Sequence, residues 1–355
     1  MGQLKKVQDP ELHQDLVTLN MVKQVQIADG QVCITIELTT PACPMKDRIR
    51  NDVIAAVREL GDPIKQVEIR FTADVKKAPS AENAAANNPL PTVKHIVAVG
   101  AGKGGVGKST VSVNLAMGLA RTGAAVGLMD GDIYGPSLPT MLGLDHLQPR
   151  TEGNMMLPFQ VHGLQAMTIG ALVEEEKPLI WRGPMAHGAF RQLATQTQWG
   201  ELDYLIIDLP PGTGDVPLTM SQLLPLTGAV VVCTPQKVAL DDARRAVRMF
   251  QQLKIRVLGI VENMSYFVGD DGKEYDIFGR GGAEMMAQMM EIPFLGTIPI
   301  TMALRHNCDA GDPESNFTLG EPLAQQLEGL SRALAGQISI QSMSEEGQRP
   351  SLTIS

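Results

Sequence analysis

Nine consecutive residues, Gly102-Lys103-Gly104-Gly105-Val106-Gly107-Lys108-Ser109-Thr110, bring together four glycines, two lysines and two hydroxyls. They fit G-x-x-x-x-G-K-S/T, the spacing of a phosphate-cradling P-loop. The glycines let the backbone turn tightly and aim successive N–H groups at one point, and a helix starting behind them adds its dipole. In that reading Lys108 reaches the β- and γ-phosphates of a nucleotide, and the Ser109 hydroxyl ligates Mg²⁺. Two carboxylates could serve the same centre. Asp208 follows the apolar run Tyr204-Leu205-Ile206-Ile207, an arrangement that holds Mg²⁺ through a water. Asp132 closes Asp130-Gly131-Asp132, where it could orient the attacking water or the Mg²⁺ shell. An ordinary acidic cap is the alternative for Asp132, and more so for Asp130.

These groups can meet only if they share one edge of a sheet. The apolar run His95-Ile96-Val97-Ala98-Val99 reads as a buried strand leading into the P-loop, and Lys108 to about Thr122 reads as a helix leading out. Ala125-Val126-Gly127-Leu128-Met129 is a second strand, ending at Asp130, and Tyr204–Ile207 is a third, ending at Asp208. Strand carboxyl ends are where α/β sheets place ligands. Each of these two strands runs into a Gly/Pro loop, Ile133–Ser137 and Leu209–Asp215, with the makings of a γ-phosphate-sensing switch. Ala229–Thr234 and Val257–Val261 are further strands, and Cys233 in the first of them reads as core. Val257–Val261 ends at Glu262-Asn263, and the asparagine could read a purine base. It is followed by Met264-Ser265-Tyr266 and not by the Lys-x-Asp of guanine readers, which favours ATP over GTP. Strands alternating with helices behind a P-loop predict an α/β fold with a doubly wound, mostly parallel sheet.

Ahead of this lies a smaller α+β module over residues 1–75. Val25 and Ile27, then Asp29-Gly30, then alternating Val32, Ile34, Ile36 and Leu38 predict a hairpin. A helix with Ile49, Val53, Val57 and Leu60 on one face follows Pro44, ends at Asp62-Pro63, and precedes a strand through Val67, Ile69 and Phe71. Cys43, between Pro41 and Pro44, sits just before that helix, where the dipole favours thiolate. A reactive or ligating thiol and a small buried hydrophobe are both open readings. Cys33 alternates with the Val/Ile face and reads as a strand residue. Residues 76–91 have the composition of a flexible linker, 92–340 form the nucleotide domain, and the polar tail 341–355 reads as disordered.

The 355 residues are 44% hydrophobic and carry a net charge of −9. An acidic chain without a dense Lys/Arg block is a poor nucleic-acid binder. No apolar run reaches the length of a membrane span, and four scattered cysteines are not a disulfide framework. The expectation is a cytoplasmic protein that binds neither nucleic acid nor membrane.

Further segments sharpen this into a resemblance. Asp132–Ser137, Trp181-Arg182-Gly183-Pro184-Met185, Asp208–Asp215 and Glu262–Tyr266 occur in order behind the P-loop. Asp9-Pro10-Glu11 and Thr40-Pro41-Ala42-Cys43-Pro44 mark the N-terminal module, which resembles a small domain of iron–sulfur cluster assembly proteins. Together they resemble the Mrp/ApbC family of iron–sulfur cluster carrier ATPases. The resemblance implies a homodimer that hydrolyses ATP, holds a 4Fe–4S cluster transiently and passes it to apo-proteins alongside cluster assembly factors. It also implies that Lys103, as in deviant P-loops reading K-G-G-x-G-K-S/T, reaches the partner's nucleotide as an arginine finger would.

One departure is evident: many members carry Cys-x-x-Cys after Asn-Met-Ser-Tyr, where this chain has Phe267–Lys273 and no cysteine. A dimer-bridging cluster then asks two thiolates of each chain. Cys43 is the first candidate, and Cys308, in a stretch that reads as a loop, is the second, with a bland loop cysteine the alternative. Rival readings are a ParA/MinD-like positioning ATPase, an electron donor resembling nitrogenase iron protein, and a nucleotide-switched adaptor or chaperone. The Met-rich stretch Glu284–Met290 could line a groove for such a chaperone, but its helical spacing favours core packing.

Overall fold

The computed structural model describes residues 1–346 apart from 11, 13, 29, 62–63, 74, 76–87, 171–182, 213 and 270. The chain divides into two units, Met1–Pro79 with Ala335–Ser355, and Ser80–Leu334.

Alternation builds the first unit. Strands β1 (Val22–Ala28) and β2 (Gln31–Leu38) pair antiparallel, with Ala28 opposite Gln31 across a turn in which Gly30 takes φ 82°. Strand β3 (Gln66–Ala73) joins β2 in parallel. The inward residues Val32, Ile34, Ile36 and Leu38 form one core with Ile49, Val53 and Val57 of helix α1 (Lys46–Arg58). Leu60, expected on the same helical face, lies beyond the helix end and is exposed. The expected stop at Asp62-Pro63 lies outside the described residues.

The second unit runs β4 (Val93–Ala101), α2 (Lys108–Arg121), β5 (Val126–Asp130), α3 (Leu138–Met141), β6 (Arg150–Glu152), β7 (Met155–Leu157), β8 (Phe159–Val161), β9 (Leu164–Met167), α4 (Gly183–Thr195), β10 (Leu202–Asp208), α5 (Asp215–Leu223), β11 (Gly228–Cys233), α6 (Lys237–Gln252), β12 (Val257–Val268), β13 (Glu274–Tyr275), α7 (Gly282–Met289), β14 (Phe294–Ile300) and α8 (Met302–Asp309). Helix α9 (Pro322–Glu346) starts in this unit and passes through the division at Ala335. The sheet order is β13-β12-β11-β4-β10-β5-β9-β8, with β14 also on β12. Its pairings are parallel except at β13 and β8, as expected of a doubly wound fold. Strands β4, β10 and β11 are buried almost throughout, which is why they read as unbroken apolar runs and not as alternating ones. Cys233 is core, as expected.

Three expectations are corrected. Residues 76–87 of the expected linker lie outside the described residues, but Leu90 is buried in the core with Val93 and Ile96. The tail expected to be irregular from residue 341 is helical to Glu346. The buried spacing Leu327, Leu330, Leu334, Ile338 simply continues into it, and buried Ser342 donates to the Ile338 carbonyl. Residues 347–355 lie outside the described residues. In the Met-rich stretch only part is core: Met286 is buried, whereas Met285 and Met289 are exposed.

Candidate nucleotide site

Strands β4, β5 and β10 are neighbours and end at one edge, with Val99, Asp208 and Asp130 side by side in register. The P-loop leaves β4 and enters α2 through Gly107, which caps the helix at φ 78°. The N–H groups of Lys108, Ser109 and Thr110 precede the first intrahelical bond, from Val111 N to the Gly107 carbonyl. They form an anion-accepting helix start. Two of the glycines are sterically obligatory. A Cβ on Gly102 would stand 2.1 Å from the Asp242 carbonyl oxygen, and one on Gly107 2.1 Å from Asn263 Nδ2. Gly104 lies beside Pro211, so the P-loop abuts the loop after β10.

Asp208 is the hub. Its carboxylate is fully buried, and Lys108 Nζ lies 2.8 Å from Oδ2. Ser109 Oγ donates to the same oxygen at 2.6 Å, and Ser112 Oγ lies 2.6 Å from Oδ1. A buried carboxylate needs such compensation, because burial without it would cost several kcal/mol. Hard oxygen donors on Ser109 and Asp208, beside a phosphate-binding helix start, fit Mg²⁺, which is bound through one or two carboxylates plus phosphates. Lys103 is half-buried and, among the described residues, pairs with no carboxylate.

Asp132 is partly buried and accepts from Gly135 N at 3.2 Å. Burial pushes its carboxyl up, against the pull of Lys108. With Tyr134, Gly135, His187, Pro210, Pro211, Gly214 and Val216 it lines a cavity of about 550 Å³ between the loops after β5 and β10. Asp130 is completely buried, and burial, then the neighbouring Asp208, pushes it up to about 7. In the loop after β10, Thr213 lies outside the described residues, as do Trp181 and Arg182. Asn263 donates from Nδ2 to the Val106 carbonyl at 2.8 Å, which docks it on the P-loop. Met264 beside it takes φ 56° where the β12 register slips, a left-handed conformation that re-aims the strand end. The adjacent Glu262 is buried and accepts from Ser265 Oγ, Gly281 N and Ala283 N, so it fixes the start of α7.

The cysteines divide. Cys43 lies in a turn closed by Cys43 N to the Thr40 carbonyl, is 8% exposed and belongs to the core of the first unit. Cys308, expected in a loop, lies on α8 and is buried. Asn316 Nδ2 points at its Sγ from 3.8 Å and bonds Asn114 Oδ1 at 3.0 Å, tying α8 to the P-loop helix α2. Burial raises its thiol pKa. That geometry fits packing at Cys308, and the burial it shares with Cys43 disfavours thiolate at rest.

Comparison with known proteins fits this arrangement. Residues 92–335 match the model of the NUBPL iron-transfer P-loop NTPases, and residues 1–70 that of an iron-sulfur cluster assembly protein. The chain belongs to the NUBPL iron-transfer P-loop NTPase family. It is 46% identical to an iron-sulfur cluster carrier protein of Synechocystis, over 95% of this chain and 96% of that one. It is 47% identical to one of Deinococcus radiodurans, over 96% and 95%. A nucleotide-binding protein of Archaeoglobus fulgidus, solved with ADP, is 38% identical and covers 66% of this chain and 93% of its own, with a TM-score of 0.58.

Within this iron-transfer NTPase the structure brings the P-loop, Asp132, Asp208 and Asn263 to one edge. It also adds two residues that the sequence reading passed over. Ser112 carried a faint signal, as a polar residue one helical turn beyond Lys108 on an otherwise apolar helix. Asp130, for which a cap is one reading of the sequence, accepts three bonds from the loop that follows β5 and one from Thr168 after β9. Among the described residues no helix is long and apolar enough to cross a membrane.

Proposed function

We propose that this iron-transfer NTPase binds and hydrolyses ATP and carries an iron–sulfur cluster, its cargo, to apo-proteins. The observation that carries the reading is the convergence of Lys108, Ser109 and Ser112 on buried Asp208, at the start of the P-loop helix. The matching assembly-type module and the relatives named as cluster carriers support iron–sulfur cargo in particular. Asn263 supports adenine. One Nδ2 hydrogen goes to the Val106 carbonyl and Oδ1 is left to accept, which suits the exocyclic amine of adenine.

In this reading the α2 N–H groups and Lys108 hold the phosphates, and Ser109 and Asp208 hold Mg²⁺, which would neutralise phosphate charge. Asp132 faces the cavity with its carboxyl shifted upward, as suits a group that orients water and takes up its proton. Lys103 of each copy serves the other's nucleotide in a homodimer, and among the described residues it has no carboxylate partner. Cys43 and then Cys308 are the proposed cluster ligands, and each would have to leave a buried place to bind. A 4Fe–4S cargo, cluster assembly factors as partners and a cytoplasmic setting complete the proposal.

Anaerobic reconstitution of the full chain with iron and sulfide tests it, with Mg²⁺-dependent ATP hydrolysis measured in parallel. A labile cluster should form on wild type and be lost in Cys43→Ser and in Cys308→Ser. Lys108→Ala should lose ATP binding, and Lys103→Ala should bind ATP without turnover. A wild-type dimer that turns over ATP and takes no cluster would point to a nucleotide-switched adaptor instead.

A further inference from the structure

We infer that Asp130 is a positioning residue that grips both ends of the loop carrying Asp132. Its carboxylate is buried, with both oxygens engaged by one short stretch of chain. Oδ1 accepts from Asp132 N at 3.1 Å. Oδ2 accepts from Ser137 N at 3.1 Å, from Leu138 N at 3.2 Å and from Thr168 Oγ1 at 3.2 Å. One rigid side chain at the end of β5 thus fixes where residues 132–138 leave the strand and where they re-enter at α3. Asp132, Tyr134 and Gly135, which line the cavity, hang between these two anchors.

The loop is braced from β9 as well. Thr168 also accepts from Gly170 N at 3.1 Å, and a Cβ on Gly170 would stand 2.7 Å from Pro139 and 3.0 Å from Pro136. Ser137 Oγ is buried and has no hydrogen-bond partner among the described residues. Asp130 pairs in register with Asp208, so the anchor of this loop and the hub of the phosphate site sit on adjacent strands. Displacement of a catalytic group by about 1 Å can cost roughly a hundredfold in rate. A residue that fixes the backbone of Asp132 is therefore worth that much without touching substrate. The inference rests on the reading that Asp132 acts on the attacking water.

The test uses the full chain and three variants. Asp130→Asn keeps the shape but offers one acceptor oxygen, and its NH₂ confronts N–H donors, so one end of the loop is released. We expect kcat for ATP to fall about ten- to a hundredfold while the dissociation constant for ATP stays within about threefold. The remaining oxygen should stay with the three donors on Oδ2, so the Asp132 amide, left facing the NH₂, should exchange hydrogen about ten- to a hundredfold faster. Thr168→Val should move both readouts the same way but less, and it decides the matter should Asp130→Asn fail to fold. Asp132→Asn should lose kcat and leave the exchange unchanged.

Unchanged exchange in Asp130→Asn and Thr168→Val would overturn the inference alone. So would accelerated exchange with wild-type kcat, or a parallel collapse of ATP affinity. Asp132→Asn with wild-type kcat would overturn the reading of Asp132, and with it the purpose assigned to Asp130.

Discussion

Ser112→Ala is the sharpest perturbation of the hub. Ser112 is fully buried, and its hydroxyl lies 2.6 Å from Asp208 Oδ1 and 3.0 Å from the Lys108 carbonyl. One proton serves one acceptor at a time, and the shorter contact to the carboxylate takes it. Asp208 Oδ2 holds both Lys108 and Ser109, whereas among the described residues Oδ1 has Ser112 alone. Truncation therefore strips one oxygen of a buried carboxylate, at a cost of about 1.5–3 kcal/mol for a hydrogen bond to a charged group. In a unit of this size that corresponds to a fall in melting temperature of roughly 3–12 °C. Ser109→Ala should cost less, because Lys108 still satisfies the oxygen it leaves. Trp199 is buried in the core of the second unit, so its fluorescence follows the unfolding of that unit. The assay is a urea titration and a thermal scan of both variants and wild type. A Ser112→Ala loss below about 0.5 kcal/mol, or one no larger than that of Ser109→Ala, would refute the hub, since even ordinary hydrogen bonds contribute that much.

Gly107→Ala meets a left-handed φ and an amide 2.1 Å away. At about 1–2 kcal/mol for that backbone conformation alone, ATP affinity measured by calorimetry should fall about five- to thirtyfold. Asn263→Asp replaces a donor with a carboxylate facing the Val106 carbonyl, so ATP binding should weaken by about 1–3 kcal/mol and the preference over GTP should narrow. Thiol reactivity should follow burial. Cys33 is half-buried on its strand, whereas the Cys233 thiol, with burial and then Glu262 acting on it, is pushed up to about 12. At pH 8 only roughly one Cys233 in ten thousand would be thiolate, so mass spectrometry of iodoacetamide-treated native protein should show Cys33 modified well before Cys233 and Cys308. Equal labelling of Cys233 in the native protein would contradict the packing.

The amino-acid sequence by itself determined what local rules govern. Glycine spacing set the P-loop, continuous apolar runs set the buried parallel strands, and Asp29-Gly30 between alternating residues set the hairpin. Each signal lies within a dozen residues, and each reflects a backbone preference or a burial pattern that needs no distant partner. Tertiary structure decided the rest. Whether Asp130 caps a strand or anchors a loop depends on the next residues folding back to bring Ser137 and Leu138, and on Thr168 arriving from the end of β9. Whether Cys308 is a ligand depends on Asn316 and Asn114, from a later turn and an earlier helix. Ser112 is a hub residue only because β10 lies beside α2 and brings Asp208 within 2.6 Å. A hydrogen bond is decided by a few tenths of an ångström between side chains remote in sequence, and only the assembled sheet sets those distances.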